Sequence, residues 1–257
     1  MKTNSFCLLL FLLLTGCAGE KEQSWKLVWS DEFNYSGLPD TSDWSHETGY
    51  IANNELQYYT PRRIENSMVD GGDLMIIGRK EPWEWADYTS ARINTYGKHS
   101  WTYGKVEARI KLPEGQGIWP AFWMLGDNIH HVGWPKCGEI DIMEHINSEN
   151  TLYGTLHWHN EKHVQNGDKT PCNVADYHNY AIEWDADSIK WFLDGKQYHQ
   201  VVIADSINST AEFQKPFYII LNLAIGGSWP KNPDETTQFP DTMFVDYVRV
   251  YQKLHKN

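Results

Sequence analysis

Short runs of alternating or β-branched and aromatic residues, each closed by a turn cluster, succeed one another along the chain, and this pattern most constrains its fold. Residues 74–80, 105–112 and 180–184 read as strands, residues 217–224 as a strand buried on both faces, and residues 244–251 as a final core strand. Residues 188–193, Asp194-Gly195 and residues 196–198 predict a hairpin, because Asp-Gly accepts the positive φ angles of a type I′ turn. Only residues 205–214 invite a short helix, while residues 82–88 and 160–170 have no regular pattern and read as loops. Many antiparallel strands with little helix predict an all-β sandwich.

The N-terminus is set apart. Lys2, an apolar run over residues 6–14 and then Leu14-Thr15-Gly16-Cys17 have the layout of a secretory signal, too short to span a bilayer comfortably. The small residues before Cys17 resemble the bacterial lipoprotein signal. The expected division is therefore a signal over residues 1–16, an acylated Cys17 opening a polar tether over residues 17–24, and one domain over residues 25–257. The expected location is outside the cytoplasm, on the cell envelope, with the membrane met through the anchor. The formal charge of -12 becomes -13 once Lys2 leaves, and no basic cluster offsets it, which argues against nucleic acid or a polyanionic polysaccharide as partner. A monomer is expected. Cys137 and Cys172 are left for disulfide chemistry, and the sequence leaves their pairing open.

Chemistry concentrates in Gly138-Glu139-Ile140-Asp141-Ile142-Met143-Glu144-His145-Ile146, where three carboxylates sit on an otherwise apolar strand. Unpaired carboxylates do not belong in a core, so these side chains should face a cleft. Period-two alternation puts Glu139 and Asp141 on one face but sends Glu144 to the other. A β-bulge at Met143 or its neighbour restores Glu144 to the shared face. Four effective steps of about 3.3 Å then separate the glutamate Cα atoms by roughly 13 Å. Side chains reaching about 4 Å each leave about 5 Å between the carboxyl groups, the spacing of a retaining glycosidase rather than an inverting one. Spacing alone does not say which glutamate attacks and which moves the proton. Two competing readings are an acidic strand packed against Lys or Arg and a metal site built from Glu139, Asp141, Glu144 and His145.

The Glu-x-Asp-x-x-Glu pattern resembles the signature of glycoside hydrolase family sixteen, in its longer, methionine-bulged, laminarinase-like form. Further similarity lies in Trp29-Ser30-Asp31-Glu32-Phe33, Asn53-Asn54-Glu55-Leu56-Gln57-Tyr58, Thr89-Ser90-Ala91-Arg92-Ile93-Asn94-Thr95, Trp119-Pro120-Ala121-Phe122-Trp123-Met124-Leu125-Gly126 and Gly226-Gly227-Ser228-Trp229-Pro230. The resemblance implies a concanavalin-like β-jelly roll of two curved sheets with a concave substrate cleft. It implies Glu139 as nucleophile, Glu144 as general acid/base, and a β-1,3-glucan or mixed-linkage β-1,3/1,4-glucan as substrate, with Asp141, from its position between the two, expected to hydrogen-bond and tune Glu139. The same family hosts galactan hydrolases acting on agar or carrageenan, and a non-catalytic glycan-binding lipoprotein on the same sandwich is the alternative from another class.

Thirteen tryptophans exceed what a core of this size needs, and flat aromatic faces suit the C–H faces of glucose rings. Trp25, Trp29, Trp184 and Trp191 lie in strand-like patterns and read as core; Trp229, in a glycine-bearing loop, reads as a platform; Trp101, Trp134 and Trp158 are open. The resemblance places Trp119 and Trp123 along the sugar path and makes Asn53 and Arg92 hydroxyl-binding residues. Glu55 and Asn222 are weaker matches of the same kind. His157 is expected to contact the acid/base glutamate or the leaving-group sugar. No cofactor is required, but Glu32, the backbone of Gly72 and Asp246 match positions that hold a structural calcium ion in some relatives.

Overall fold

A computed structural model describes residues 24–50 and 52–253. The signal, Cys17 and most of the tether lie outside the described residues.

Among the described residues the strands form a ten-stranded and a seven-stranded sheet, packed face to face as a jelly roll. The larger sheet runs from Lys196–Val202 through Ser188–Leu193, His178–Trp184, Gly104–Lys111, Asp241–Lys253, Asp73–Trp83 and Ala86–Ser90 to Gln57–Tyr59. The smaller runs from Lys162–Pro171 through Thr151–Asn160, Glu139–Glu144, Ile118–Gly126, Phe217–Ile225 and Arg92–Asn94 to Ser45–His46. Pairing is antiparallel except between Gln57–Tyr59 and Ala86–Ser90. Side chains from both sheets interleave in one core, with Ile76, Val106, Ile110 and Val248 meeting Phe122, Ile140, Leu156 and Leu221.

The expected hairpin forms: Asp194 and Gly195 adopt φ of 49° and 76°, and Ser188–Leu193 pairs with Lys196–Val202. Every residue of Phe217–Ile225 is buried, as the apolar run predicts. Three expectations need correcting. Residues 160–170 are not a loop but mostly the strand Lys162–Pro171, an edge strand exposed along nearly its whole length. With no face to bury, it shows no alternation for sequence reading to find. Residues 82–88 are a hairpin tip, with Trp83 paired to Ala86. The short helix over residues 205–214 is a broken 3-10 segment in which Asp205, Ser206, Asn208 and Ser209 take positive φ, since short polar side chains offer the backbone local alternatives to a helix. Trp184 and Trp191 are fully buried, whereas Trp25 and Trp29 are only half-buried. Cys137 and Cys172 are both buried as free thiols.

Candidate active site

The strand Glu139–Glu144 occupies the middle of the smaller sheet, and its pairing breaks where the acid spacing requires it to. Against Ile118–Gly126 the register passes from Asp141 opposite Trp123 to Met143 opposite Phe122, leaving Ile142 as the extra residue. The other neighbour shows the same slip, from Asp141 opposite Thr155 to Glu144 opposite Tyr153. Ile142 and Met143 therefore both point inward, 1% and 0% exposed, and Glu144 returns to the face of Glu139 and Asp141. Burying Ile140, Ile142 and Met143 contributes up to about 1.5–3 kcal/mol each, which holds the bulge in place. From the other sheet, the Trp191 indole donates to the Asp141 carbonyl oxygen at 2.8 Å and satisfies the backbone at the irregularity. Gly138 precedes the strand with φ of 78°; a Cβ there would lie 2.9 Å from the Phe217 ring.

The three carboxylates line a continuous cleft. One half, about 700 Å³, includes Glu139, Glu144, Tyr153, His157, His163 and Trp229. The other, about 350 Å³, includes Glu55, Arg92, Trp123, Asp141 and Asn222, and the halves share Asn53, Trp119, Trp134, Glu139 and Glu144. Trp119 and Trp134 act as clamps: their indole N–H groups donate to Glu144 Oε1 at 3.0 Å and to Glu139 Oε2 at 2.9 Å. Trp229 stands edge-on to Trp119 and Tyr153, at 5.5 and 5.0 Å between ring centroids. Trp101 and Trp158 instead pack on the core.

Burial, reinforced by Asp141, pushes the Glu139 carboxyl up to about 8. Burial also raises Asp141, and burial followed by the charges of Asp141 and Glu139 holds Glu144 well above the usual carboxylate range. Three acids this close cannot all ionise at neutral pH, so the set retains protons. Of the two glutamates Glu139 is the more readily ionised, having both the Trp134 N–H and His157 Nε2 at 3.9 Å. Glu144 has the Trp119 N–H alone among its hydrogen-bond partners within the described residues.

His157 departs from expectation. Its Nε2 lies 3.2 Å from Asp141 Oδ2, so its closest carboxylate is the middle acid rather than Glu144. The approach is off the hydrogen-bonding direction, and Oδ2 has no aligned donor. On its other side, His157 Nδ1 lies 2.9 Å from His163 Nε2. When His163 donates across that gap, His157 keeps its proton on Nε2 and presents it to Asp141. Both ring nitrogens of His145 reach backbone carbonyls, of Thr151 and Asn147, which removes it from the metal set considered above.

The polar end of the cleft is a connected network. Buried Glu55, its carboxyl raised by desolvation, accepts from Gln57 Nε2 at 2.6 Å, Tyr59 Oη at 3.1 Å and Asn53 Nδ2 at 3.3 Å. Asn222 Oδ1 accepts from the Trp123 indole at 2.7 Å, and its amide donates to Tyr59 Oη. Arg92 is buried, not a surface ion pair: it meets Glu47 at 3.0 Å and stacks 4.6 Å over Trp123. Asn53, Arg92, Trp119, Trp123, His157 and Trp229 thus all converge on the cleft. Sequence reading passed over Glu47, Tyr59, Tyr153 and His163. Tyr59 was detectable by its period-two relation to Gln57, whereas the edge strand carrying His163 gave no signal.

The side chains matched to calcium are differently engaged. Arg249 donates to both Glu32 oxygens, at 2.9 and 2.7 Å, and Arg109 donates to Asp246 Oδ2 at 2.7 Å. Gly72 sits in a turn with φ of 92°. Carboxylates already neutralised by guanidinium groups do not fit a calcium cage, which requires several free oxygens converging on one point.

A two-sheet sandwich with two glutamates flanking an aspartate on the floor of a tryptophan-lined cleft defines a glycoside hydrolase. Residues 41–249 match the family described as glycosyl hydrolases family 16, and the chain belongs to that family. It is 43% identical to the beta-glucanase of Rhodothermus marinus, over 95% of this chain and 93% of that protein. The X-ray structure of the laminarinase from Rhodothermus marinus superimposes with a TM-score of 0.85 at 42% identity, covering 90% of this chain and 99% of that one. Similarity to the clotting factor G alpha subunit of Tachypleus tridentatus, at 42% identity, covers 96% of this chain but only 37% of that protein.

Proposed function

We propose that the chain is a retaining endo-β-glucanase that hydrolyses β-1,3-glucan of the laminarin type, mixed-linkage β-1,3/1,4-glucan, or both. The observation that carries this is the bulge at Ile142, which brings Glu139 and Glu144 to one face of one strand. Glu139 attacks the anomeric carbon while Glu144 protonates the departing glycosidic oxygen, giving a covalent glycosyl-enzyme. Glu144, now a base, takes a proton from water, which displaces Glu139 and releases the sugar with its configuration retained. Attack requires Glu139 ionised, so the proton that Glu139 holds in the resting site passes to Asp141 beside it.

Arg92, Asn53 and the Glu55–Tyr59–Asn222 network supply donors and acceptors for sugar hydroxyls, and Trp119, Trp123 and Trp229 supply apolar faces. The acidic character of the chain disfavours sulfated galactans. Residues 1–16 are read as a lipoprotein signal and Cys17 as the acylated residue that ties a monomeric enzyme to the cell envelope.

Product analysis on laminarin, barley mixed-linkage glucan, agarose and carrageenan tests the substrate. Oligosaccharides from either β-glucan are expected; release from agarose or carrageenan alone overturns the reading. Cys17→Ala should move the protein from the membrane fraction to the soluble one, and unchanged membrane association removes the anchor.

A further inference from the structure

The tip joining Asp73–Trp83 to Ala86–Ser90 displays Trp85, which is 64% exposed and belongs to no core cluster. Two tyrosine rings hold it edge to face, Tyr50 at 6.2 Å and 69° and Tyr58 at 6.0 Å and 64° between planes. Packing gives no reason for a bare indole here, and Glu84 takes a φ of 51° in the turn that presents it. The cluster is tied to the rim of the cleft. Asn54 donates its backbone N–H to Tyr50 Oη at 2.9 Å and its side-chain amide to Ser228 Oγ at 2.9 Å, between Asn53 and Trp229 in the chain connections that line the site. Tyr58 sits between Gln57 and Tyr59, both buried beside Glu55.

We propose that Trp85, flanked by Tyr50 and Tyr58, is a distal sugar-binding platform that engages a neutral β-glucan chain where it leaves the cleft on the Asn53 side. A flat ring with phenol hydroxyls around it matches the alternation of C–H faces and equatorial hydroxyls on a glucosyl chain. The charged residues of the tip, Glu84 and Asp87, are acidic, which suits a neutral polymer and repels a sulfated one. The platform lies apart from the reacting carboxylates, so it acts on long chains and adds nothing for oligosaccharides confined to the cleft. This rests on the glucanase reading above.

Two arms test it. In the first, kcat/KM is measured on laminarin and on laminaritetraose for the wild type, Trp85→Ala and Trp85→Phe. The polymer-to-tetramer ratio should fall about three- to tenfold in Trp85→Ala, the size of one lost aromatic contact of about 0.5–1.5 kcal/mol, and recover in part in Trp85→Phe. In the second, affinity electrophoresis through laminarin uses Glu139→Gln with and without Trp85→Ala, so that retardation reports binding without turnover. Weaker retardation of the double variant supports the platform. An unchanged ratio together with equal retardation overturns it, as does an equal loss on both substrates. A wild type inactive on every β-glucan instead sinks the catalytic reading, which separates the two failures.

Discussion

Replacing Glu139 with Gln should stabilise the protein while it destroys activity, by an amount that depends on pH in a defined way. Folding carries the Glu139 carboxyl from its ordinary value of 4.5 to about 8, because burial and Asp141 disfavour its charge. The native state therefore binds a proton that the unfolded chain does not. The wild type is undiminished below pH 4.5 and loses stability progressively as pH rises toward 8. At pH 7 the interval is 7 − 4.5 = 2.5 pH units, and at ~1.36 kcal/mol per unit the cost is about 3 kcal/mol. Gln is neutral, keeps an acceptor for the Trp134 indole, and avoids that cost. Glu139→Gln should therefore raise the melting temperature by about 6–12 °C at pH 7, with the gain vanishing near pH 4. Loss of the nucleophile should lower kcat on laminarin by at least about 10³-fold. Urea unfolding of both proteins from pH 4 to 8 is the assay. A stability difference that is flat with pH, or of opposite sign, refutes the picture of a desolvated, proton-holding acid cluster.

Other outcomes follow from the same geometry. His163→Gln, which can still donate toward His157, should keep more kcat and a more nearly native pH profile than His163→Ala; equal losses would remove His163 as the residue orienting His157. Gly138→Ala should cost about 1–3 kcal/mol in urea unfolding, from a positive φ and the Phe217 ring in the path of the new methyl, and should lower kcat/KM by displacing Glu139. EDTA followed by added calcium should leave both melting temperature and activity unchanged, because Arg249 and Arg109 already neutralise Glu32 and Asp246; a calcium-dependent rise in melting temperature would restore the cation site.

The parts of this fold that were legible in the sequence are those with one wet and one dry face, or none wet. Phe217–Ile225 and the Asp194-Gly195 hairpin carry such signals in periodicity and turn chemistry. The acid spacing was informative for a different reason: it is inconsistent with a regular strand, so it demanded the irregularity that the pairing at Ile142 supplies. What escaped notice lacks a dry face. The exposed strand Lys162–Pro171 looked like a loop, and with it went His163. Side-chain pairing across the fold was equally invisible, since the partners of Glu32 and Asp246 lie 217 and 137 residues away. The choice of Asp141 over Glu144 by His157 follows from cross-strand pairing, which sets His157 opposite Glu139, and no local pattern encodes that pairing.

The bulge brings Glu139 and Glu144 to one face, from which a double displacement is expected. Proton NMR of laminarin hydrolysis at early times reads the anomeric configuration of the first reducing ends before they equilibrate. The β-anomer should appear first, with the α-anomer growing only as mutarotation proceeds; an α-anomer at the outset would mean inversion and contradict the assignment of Glu139 as nucleophile.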